Sequence, residues 1–414
     1  MKTWITYLTS LFLALATALL LGDTTWILPV LSSLNSLAVN TGLLLALVMT
    51  VFSLPGAIAS LRKDRAGGKL VSTAVAWALV TSVLLPLFTA LISSAFPVVF
   101  PVSTTAGSGT IAPQYVTNVF QSAYQATFSG NLALILSVSD SFLLPVVILA
   151  FIIGLALKPS ADVIKPAYIT INSFSEVMFR IARALNYFGY IFAYFTAGYF
   201  FTLIYQEKTF FVDAAFSAMA VITPAALTLI LLPVLYEIFT KGKGNPFKSL
   251  YRNIASQVMA LTSGNYIFTL PFMQAGERYN DGVQKRIAAS SSPLYYIIGH
   301  GGSASVATFC IISVIANVTG EPVGLPFCLV IALFCALASF AGSLACGFEI
   351  MFITVAALRM LNINLYSAEV TMLGLLPLLS GLGCLIDSQI AILGASVSAR
   401  RMGVDMNPSY KDIL

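Results

Sequence analysis

Long, continuously apolar stretches alternate along the chain with short polar connections, and none shows the every-other-residue pattern of a membrane strand. Stretches of about 20 residues match a helix crossing the hydrocarbon core of a bilayer, roughly 30 Å thick. In lipid the backbone must satisfy its own polar groups, so such stretches form helices. Positive charge orients them, because Lys and Arg flanking a span resist translocation. Basic connections fall at residues 62–69, 158–183, 241–252 and 278–286, and in the tail with Arg400, Arg401 and Lys411. Together with Lys2 they hold every Lys and Arg except Lys208 and Arg359. Between them lie poorly basic connections at 23–25, 96–130, 206–213 and 317–326. The alternation predicts a multi-pass protein of the cell membrane with both termini cytoplasmic.

Two segments break this parity. Residues 254–276 form one moderately apolar segment between two basic connections. A single crossing would put one of those connections outside, and two crossings need about 40 residues. The segment is therefore expected to enter from the cytoplasm and return. Residues 327–358 are apolar but interrupted by Gly342, Ser343 and Gly347, and a last helix follows over 369–399. If both crossed, the Arg400–Arg401 tail would end outside, so a second hairpin is expected to enter from the outer face. The predicted fold is an all-α polytopic membrane protein: about eight transmembrane helices plus two re-entrant helical hairpins in an inverted repeat, a plan of secondary transporters.

Composition narrows the function. The 414 residues are 58% hydrophobic and 9% charged, with a mean hydropathy of +0.91. Soluble proteins carry about 25% charge, so disorder, a secreted disulfide scaffold and a soluble enzyme are excluded together. The net charge of +5 reflects membrane orientation, and no nucleic-acid partner is expected. Cys310, Cys328, Cys335, Cys346 and Cys384 sit in apolar runs without metal spacing and read as packing residues. The first 22 residues read as a transmembrane helix beginning near Trp4, with a cleavable signal segment as the alternative.

Irregular backbone at membrane depth is tolerated where protein or a water-filled cavity receives its polar groups. The hairpin tips are therefore candidate solute sites: Thr262, Ser263, Gly264 and Asn265 on the inner side, and Ala341, Gly342 and Ser343 with Gly347 on the outer. The alternative is that these small residues only allow tight helix packing. An ionisable residue inside a span is expensive and by default functional. Asp387 lies midway along the last helix, with Ser388, Gln389 and Ser396 adding oxygens, and such a set suits sodium or a proton. Glu349 in the outer hairpin is a second candidate, and Asp140 in a serine-rich segment is open to structural or functional use. Glu176, Arg180 and Arg183 recur at helical spacing and read as an amphipathic cytoplasmic stretch. His300, the only histidine, sits in a glycine-rich break (Gly299, Gly301, Gly302) and reads as a satisfied core group or a titratable ligand.

The order of these features resembles the dicarboxylate/amino acid:cation symporter family, the glutamate transporter fold. Ser129-Gly130-Asn131 through Pro145 to Ala156 looks like that family's fifth-helix region, and Glu176-Val177-Met178 opens a stretch similar to its sixth. Thr262-Ser263-Gly264 through Thr269-Leu270-Pro271 is similar to its first hairpin. Ala338-Ser339-Phe340-Ala341-Gly342 with Gly347 is similar to its second, and Gly394-Ala395 to Arg400 to the end of its eighth helix. There are departures. The family's Asn-Met-Asp-Gly-Thr break corresponds to Gly299-His300-Gly301-Gly302-Ser303, so Gly301 replaces a sodium-binding aspartate. The family's second sodium-site aspartate falls on Ala391, its asparagine one turn earlier on Asp387, its carboxylate-gripping arginine on Gly383 and its amine-holding aspartate on Ser380.

The resemblance implies an elevator-type, cation-coupled (Na+ or H+) symporter of a small organic anion or amino acid, assembled as a homotrimer in the lipid bilayer, with no cofactor besides the coupling ion. It implies scaffold helices over 1–127, mixed helices over 128–253 and a transport core over 254–414, with a broken helix at 290–315. It implies solute contacts from Thr262, Ser263, Gly264, Asn265, Ser303, Gly342, Ser343, Ser380 and Cys384. Cation contacts fall to Gly299, Gly301, Asp387, Ser388 and Ala391, with sodium at Asp387 and coupling roles for His300 and Glu349. The departures at Ser380 and Gly383 leave an acidic amino acid unsupported as solute. Two rivals stand beside this reading. One is an intramembrane protease using His300 with Ser303, or Asp140 with Asp387. The other is a channel lined by carbonyls of the glycine-rich break.

Overall fold

A computed structural model describes residues 3–101, 115–127, 143–206, 213–363 and 366–404. Among the described residues every regular element is helical. In chain order these are α1 (Thr3–Leu21), α2 (Ile27–Lys63), α3 (Gly67–Ala95), α4 (Tyr115–Thr127) and α5 (Leu144–Ala156). Next come α6 (Lys165–Phe188), α7 (Tyr190–Gln206), α8 (Ala214–Thr240), interrupted by a π-turn at Leu227–Leu231, and the short α9 (Pro246–Arg252). The carboxyl-terminal part contains α10 (Ile254–Ser263), α11 (Tyr266–Ala275), α12 (Lys285–Ile298), α13 (Gly301–Thr319), α14 (Leu325–Ser339), α15 (Glu349–Met360) and α16 (Tyr366–Arg401). Six candidate spans are long and apolar enough to cross a membrane, and the pair α6–α7, bent by 59°, makes a seventh. The apolar α5, 13 residues long, is shorter than a span, and a stretch before it, which includes Asp140, lies outside the described residues. The described residues therefore give six or seven spans against the expected eight or so.

The breaks fall where the charge parity requires them. The segment 254–276 is two short helices, α10 and α11, packed against each other. Gly264 joins them at φ +60°, a left-handed conformation that favours glycine. Asn265 follows in extended conformation, and its Oδ1 accepts the Phe268 N–H, starting the return arm. The outer segment likewise folds as α14 and α15 around an irregular tip containing a 3-10 turn, Gly342–Leu344. The broken helix runs longer than expected, from Lys285 to Thr319, and the last helix from Tyr366 to Arg401.

Burial separates core from periphery. The apolar windows of α12–α13 and of α16 are 89% buried within the chain, against 22% for α1. The first group is packed by protein on nearly all sides, whereas α1 leaves most of its surface uncovered by the rest of the chain. Helix α16 is the hub: α10, α12, α13 and α15 all lie against it. Trp77 of α3 donates to the Ile390 carbonyl at 2.9 Å, and Tyr236 of α8 meets Ser396 at 2.9 Å. A run of polar side chains crosses its middle, from Thr228 to the buried Gln389 at 2.8 Å and from Gln389 to the half-buried Gln257 at 3.0 Å.

At the end bearing the basic connections, Glu176 of α6 accepts Arg278 at 2.8 Å and lies 3.4 Å from Lys285. The amphipathic stretch is thus helical, as its charge spacing indicates, and clamps the exit of the inner hairpin. Its carboxylate is 37% exposed, so Glu176→Ala is expected to lower stability by no more than about 1 kcal/mol, a loss that added salt should shrink in thermal unfolding. Asp281 differs. It is 1% exposed and lies 3.7 Å from Arg252, and it accepts hydrogen bonds from Ser249 and Asn253. Burial pushes its carboxyl up to about 7 despite those partners. An unfolded carboxylate titrates near 3.9, so between about 4 and 7 the folded chain holds the extra proton and stability falls as pH rises. Thermal unfolding across that window should show this slope weakened in Asp281→Asn.

Candidate solute and cation site

The break between α12 and α13 leaves the first N–H groups of α13 without intrahelical partners. Asp387, reaching across from α16, takes that place. Its Oδ1 accepts the Gly302 N–H at 2.7 Å, and its Oδ2 accepts the Ser303 N–H at 3.1 Å and the Ser303 hydroxyl at 2.7 Å. The carboxylate thus caps a helix it does not belong to, and the positive end of the helix dipole stabilises its charge. This needs close approach of two helices. A Cβ built on Gly302 would lie 2.6 Å from Ile386 Cβ and 2.7 Å from the Gly383 carbonyl oxygen.

His300 lies beside this cap, 1% exposed, with Nδ1 3.6 Å from Asp387 Oδ2. Its ring stands edge-on to Tyr296 and Tyr266 at centroid distances of 5.1 and 6.4 Å. Its Nε2 has no hydrogen-bond partner. Glu349, at the start of α15 and 5% exposed, faces His300 and Asp387, and its Oε1 is likewise without a partner. Three ionisable side chains from the break, the outer hairpin and the last helix therefore share one buried region.

Both hairpin tips reach it. Asn265 of the inner tip meets Cys346 of the outer tip, Oδ1 to Sγ, at 3.3 Å. Ser380 of α16 lies against Gly264 and donates to the Gly347 carbonyl at 3.4 Å. The Tyr296 hydroxyl donates to the Ser343 carbonyl at 3.0 Å, and Gly342 lies against the His300 ring. Cys384 faces Glu349, Asp387 and Cys346. Of the expected solute residues, Gly264, Asn265, Ser303, Gly342, Ser343, Ser380 and Cys384 thus come together. Ser263, half-buried, bonds the Met259 carbonyl at 2.6 Å and accepts the Asn265 N–H at 3.2 Å, which holds the turn closed.

Other expected residues lie apart from the junction or have their polar groups engaged elsewhere. Thr262 turns away from the junction to meet Thr196 of α7 at 2.8 Å, because the helical turn before Gly264 points it outward. Gly299 and Gly301 lie against Ser82 of α3, and the Gly301 carbonyl accepts the Ser305 hydroxyl at 2.7 Å. The Ser388 hydroxyl bonds the Leu385 carbonyl of its own helix at 2.7 Å. Ala391 is fully buried and brings only a methyl group. Among the described residues no group of three or more His, Cys, Asp or Glu is arranged to hold a metal ion. The Ser303 hydroxyl donates to Asp387, so the His300–Ser303 pair of a protease is not formed.

Tyr266, Tyr296 and Cys346 belong to the junction but carry no sequence signal beyond ordinary apolar packing. A separate cavity of about 250 Å³ opens among α2, α6 and α12, lined by Ser53, Ser60, Asn172, Lys285 and Arg286.

Comparison with known proteins agrees with this architecture. No individual curated protein matches the chain. The family model described as the sodium:dicarboxylate symporter family matches residues 7–398. With nearly its whole length covered, the chain belongs to the sodium:dicarboxylate symporter family, a family of multi-pass membrane transporters.

Proposed function

We propose that the chain is a secondary active symporter of a small organic anion or amino acid, and that the proton is its coupling cation. The observation that carries this reading is the shared burial of His300, Glu349 and Asp387 where both hairpin tips meet the broken helix and α16. A sodium ion needs several oxygens free to turn toward it. Here Asp387 already accepts the Gly302 and Ser303 N–H groups and the Ser303 hydroxyl, and the Gly301 carbonyl and Ser388 hydroxyl are engaged elsewhere. A proton needs only one lone pair, and the unpartnered His300 Nε2 and Glu349 Oε1 each offer one.

The solute lies between the tips, against Asn265, Ser343, Ser380 and Cys384. Neither an arginine at Gly383 nor an acid at Ser380 is present, which favours a solute with a single carboxylate. Protonation changes the charge facing that solute, so proton and solute bind with shared free energy and each raises the affinity for the other. Transport follows an elevator scheme. Residues 254–414 move against a scaffold drawn mainly from 1–127, in a homotrimer of the cell membrane with both termini cytoplasmic.

A ligand screen by thermal shift in detergent tests the solute assignment, because a ligand that binds only the folded state raises apparent stability. A mono-carboxylate or neutral amino acid is expected to raise the transition temperature more at low pH than at high pH, and the rise is expected to vanish in Ser380→Trp. A rise of equal size in Ser380→Trp would place the solute elsewhere.

A further inference from the structure

Among the described residues outside the junction, one buried carboxyl lacks both a cation and a full set of donors. Glu277, 0% exposed, follows α11 within a π-turn, Gly276–Asn280. Its Oε1 accepts the Ser292 hydroxyl at 2.7 Å, and its Oε2 has no partner. One turn earlier on the same arm, Gln274 is also 0% exposed, and neither its oxygen nor its nitrogen has a partner. Gln274 lies in the last turn of α11 and Glu277 at the start of the π-turn that follows it. A π-turn at this point is a local irregularity of the kind that recurs at functional sites.

No cation is placed against Glu277, although Arg278 Nη1 and Arg252 Nε are themselves buried without partners. Arg278 and Lys285 pair with Glu176 at 2.8 and 3.4 Å, and Arg252 lies 3.7 Å from Asp281. The other titratable groups that face Glu277 are Asp281 from the following connection, Tyr266 from α11 and Tyr295 from α12. None of them brings positive charge. An ionised carboxylate is not left in apolar surroundings with one hydroxyl donor.

We propose that Glu277 is a proton-binding site of the inner hairpin, its proton held on Oε2 and donated to Gln274 Oε1. One proton then satisfies both orphaned oxygens. Loss of that proton puts an unpaired charge between the return arm and α12, draws water in and loosens residues 266–280. Closure of the inner hairpin is thereby tied to pH on the side of the basic connections. The site does not require His300 or Asp387 to carry the coupled proton.

The test uses the full-length protein in lipid nanodiscs. Dicyclohexylcarbodiimide reacts with protonated carboxyls in apolar surroundings, and mass spectrometry locates the product. Labelling of Glu277 in the unmutated protein is expected to persist above the range where exposed carboxyls react and to fall about tenfold as the pH is raised from mildly acidic to alkaline. Hydrogen exchange over 266–280, taken as the ratio of unmutated protein to Glu277→Gln, is expected to rise from near one to about tenfold over the same range. The ratio cancels Asp281 and intrinsic exchange, which the two proteins share. An unlabelled Glu277 at low pH, labelling that ignores pH, or a flat exchange ratio would overturn the proposal. If Glu277→Gln does not fold, the labelling of the unmutated protein decides alone. Failure of proton-driven uptake with labelling intact would count against the coupling role of His300 and leave this site standing.

Discussion

Asp387→Asn is expected to abolish cation-coupled uptake, at least 100-fold in initial rate, while the protein still folds and binds lipid. The carboxylate accepts two backbone N–H groups and one hydroxyl. Asparagine keeps one acceptor and turns an amide NH2 toward the remaining donors. Hydrogen bonds to a charged group are worth about 1.5–3 kcal/mol each, so the substitution should destabilise by about 2 kcal/mol. Asp387→Ala removes every acceptor and should cost about 3–5 kcal/mol. The two variants separate structure from coupling. If the carboxylate only caps α13, residual uptake in Asp387→Asn should keep its original cation dependence. If it also partners His300 during proton transfer, that dependence disappears. Initial rates at two external pH values, with chemical denaturation in parallel, distinguish the outcomes.

The second large effect is expected at Gly302. A side chain there meets the backbone of Gly383 and the Cβ of Ile386 at less than van der Waals separation, and neither can swing away. Gly302→Ala is therefore expected to push α13 off α16 and lengthen the hydrogen bonds that Gly302 and Ser303 make to Asp387. Overpacking of this kind costs about 1–3 kcal/mol, with a further loss as the cap weakens. The measurement is thermal unfolding of the purified protein beside uptake. Stability unchanged within about 0.5 kcal/mol would show that the helices approach less closely than this geometry requires. Gly299 is a useful contrast, because it faces Ser82 of α3 rather than α16. Its replacement should leave the Asp387 cap intact.

Much of the architecture was legible because it rests on charge bookkeeping along the chain, not on local propensity. The hairpins at 254–276 and 327–358 followed from the parity of basic connections, and their turns fall at Gly264 and at Gly342–Leu344. Asp387 was legible because an acid within an apolar run is rare enough to need a reason. The direction of a side chain was less so. Thr262 and Asn265 are three residues apart at one tip, yet one faces α7 and the other Cys346. Only the left-handed turn at Gly264 between them decides this. Tyr266, Tyr296 and Cys346 resemble any other core residues in sequence, and their role appears once the two tips are brought together. Glu277 is not legible in sequence because it adjoins the basic connection beginning at Arg278, where an acid looks like part of a solvated loop. It is buried within a π-turn, which apolar periodicity cannot reveal.

The most direct test of the coupling mechanism is uptake into proteoliposomes under one imposed gradient at a time. The solute is the one identified by thermal shift, and membrane potential is clamped. An inward proton gradient without sodium is expected to drive accumulation above equilibrium, and His300→Gln is expected to reduce this to passive equilibration. Accumulation that requires a sodium gradient and ignores the proton gradient would contradict the account.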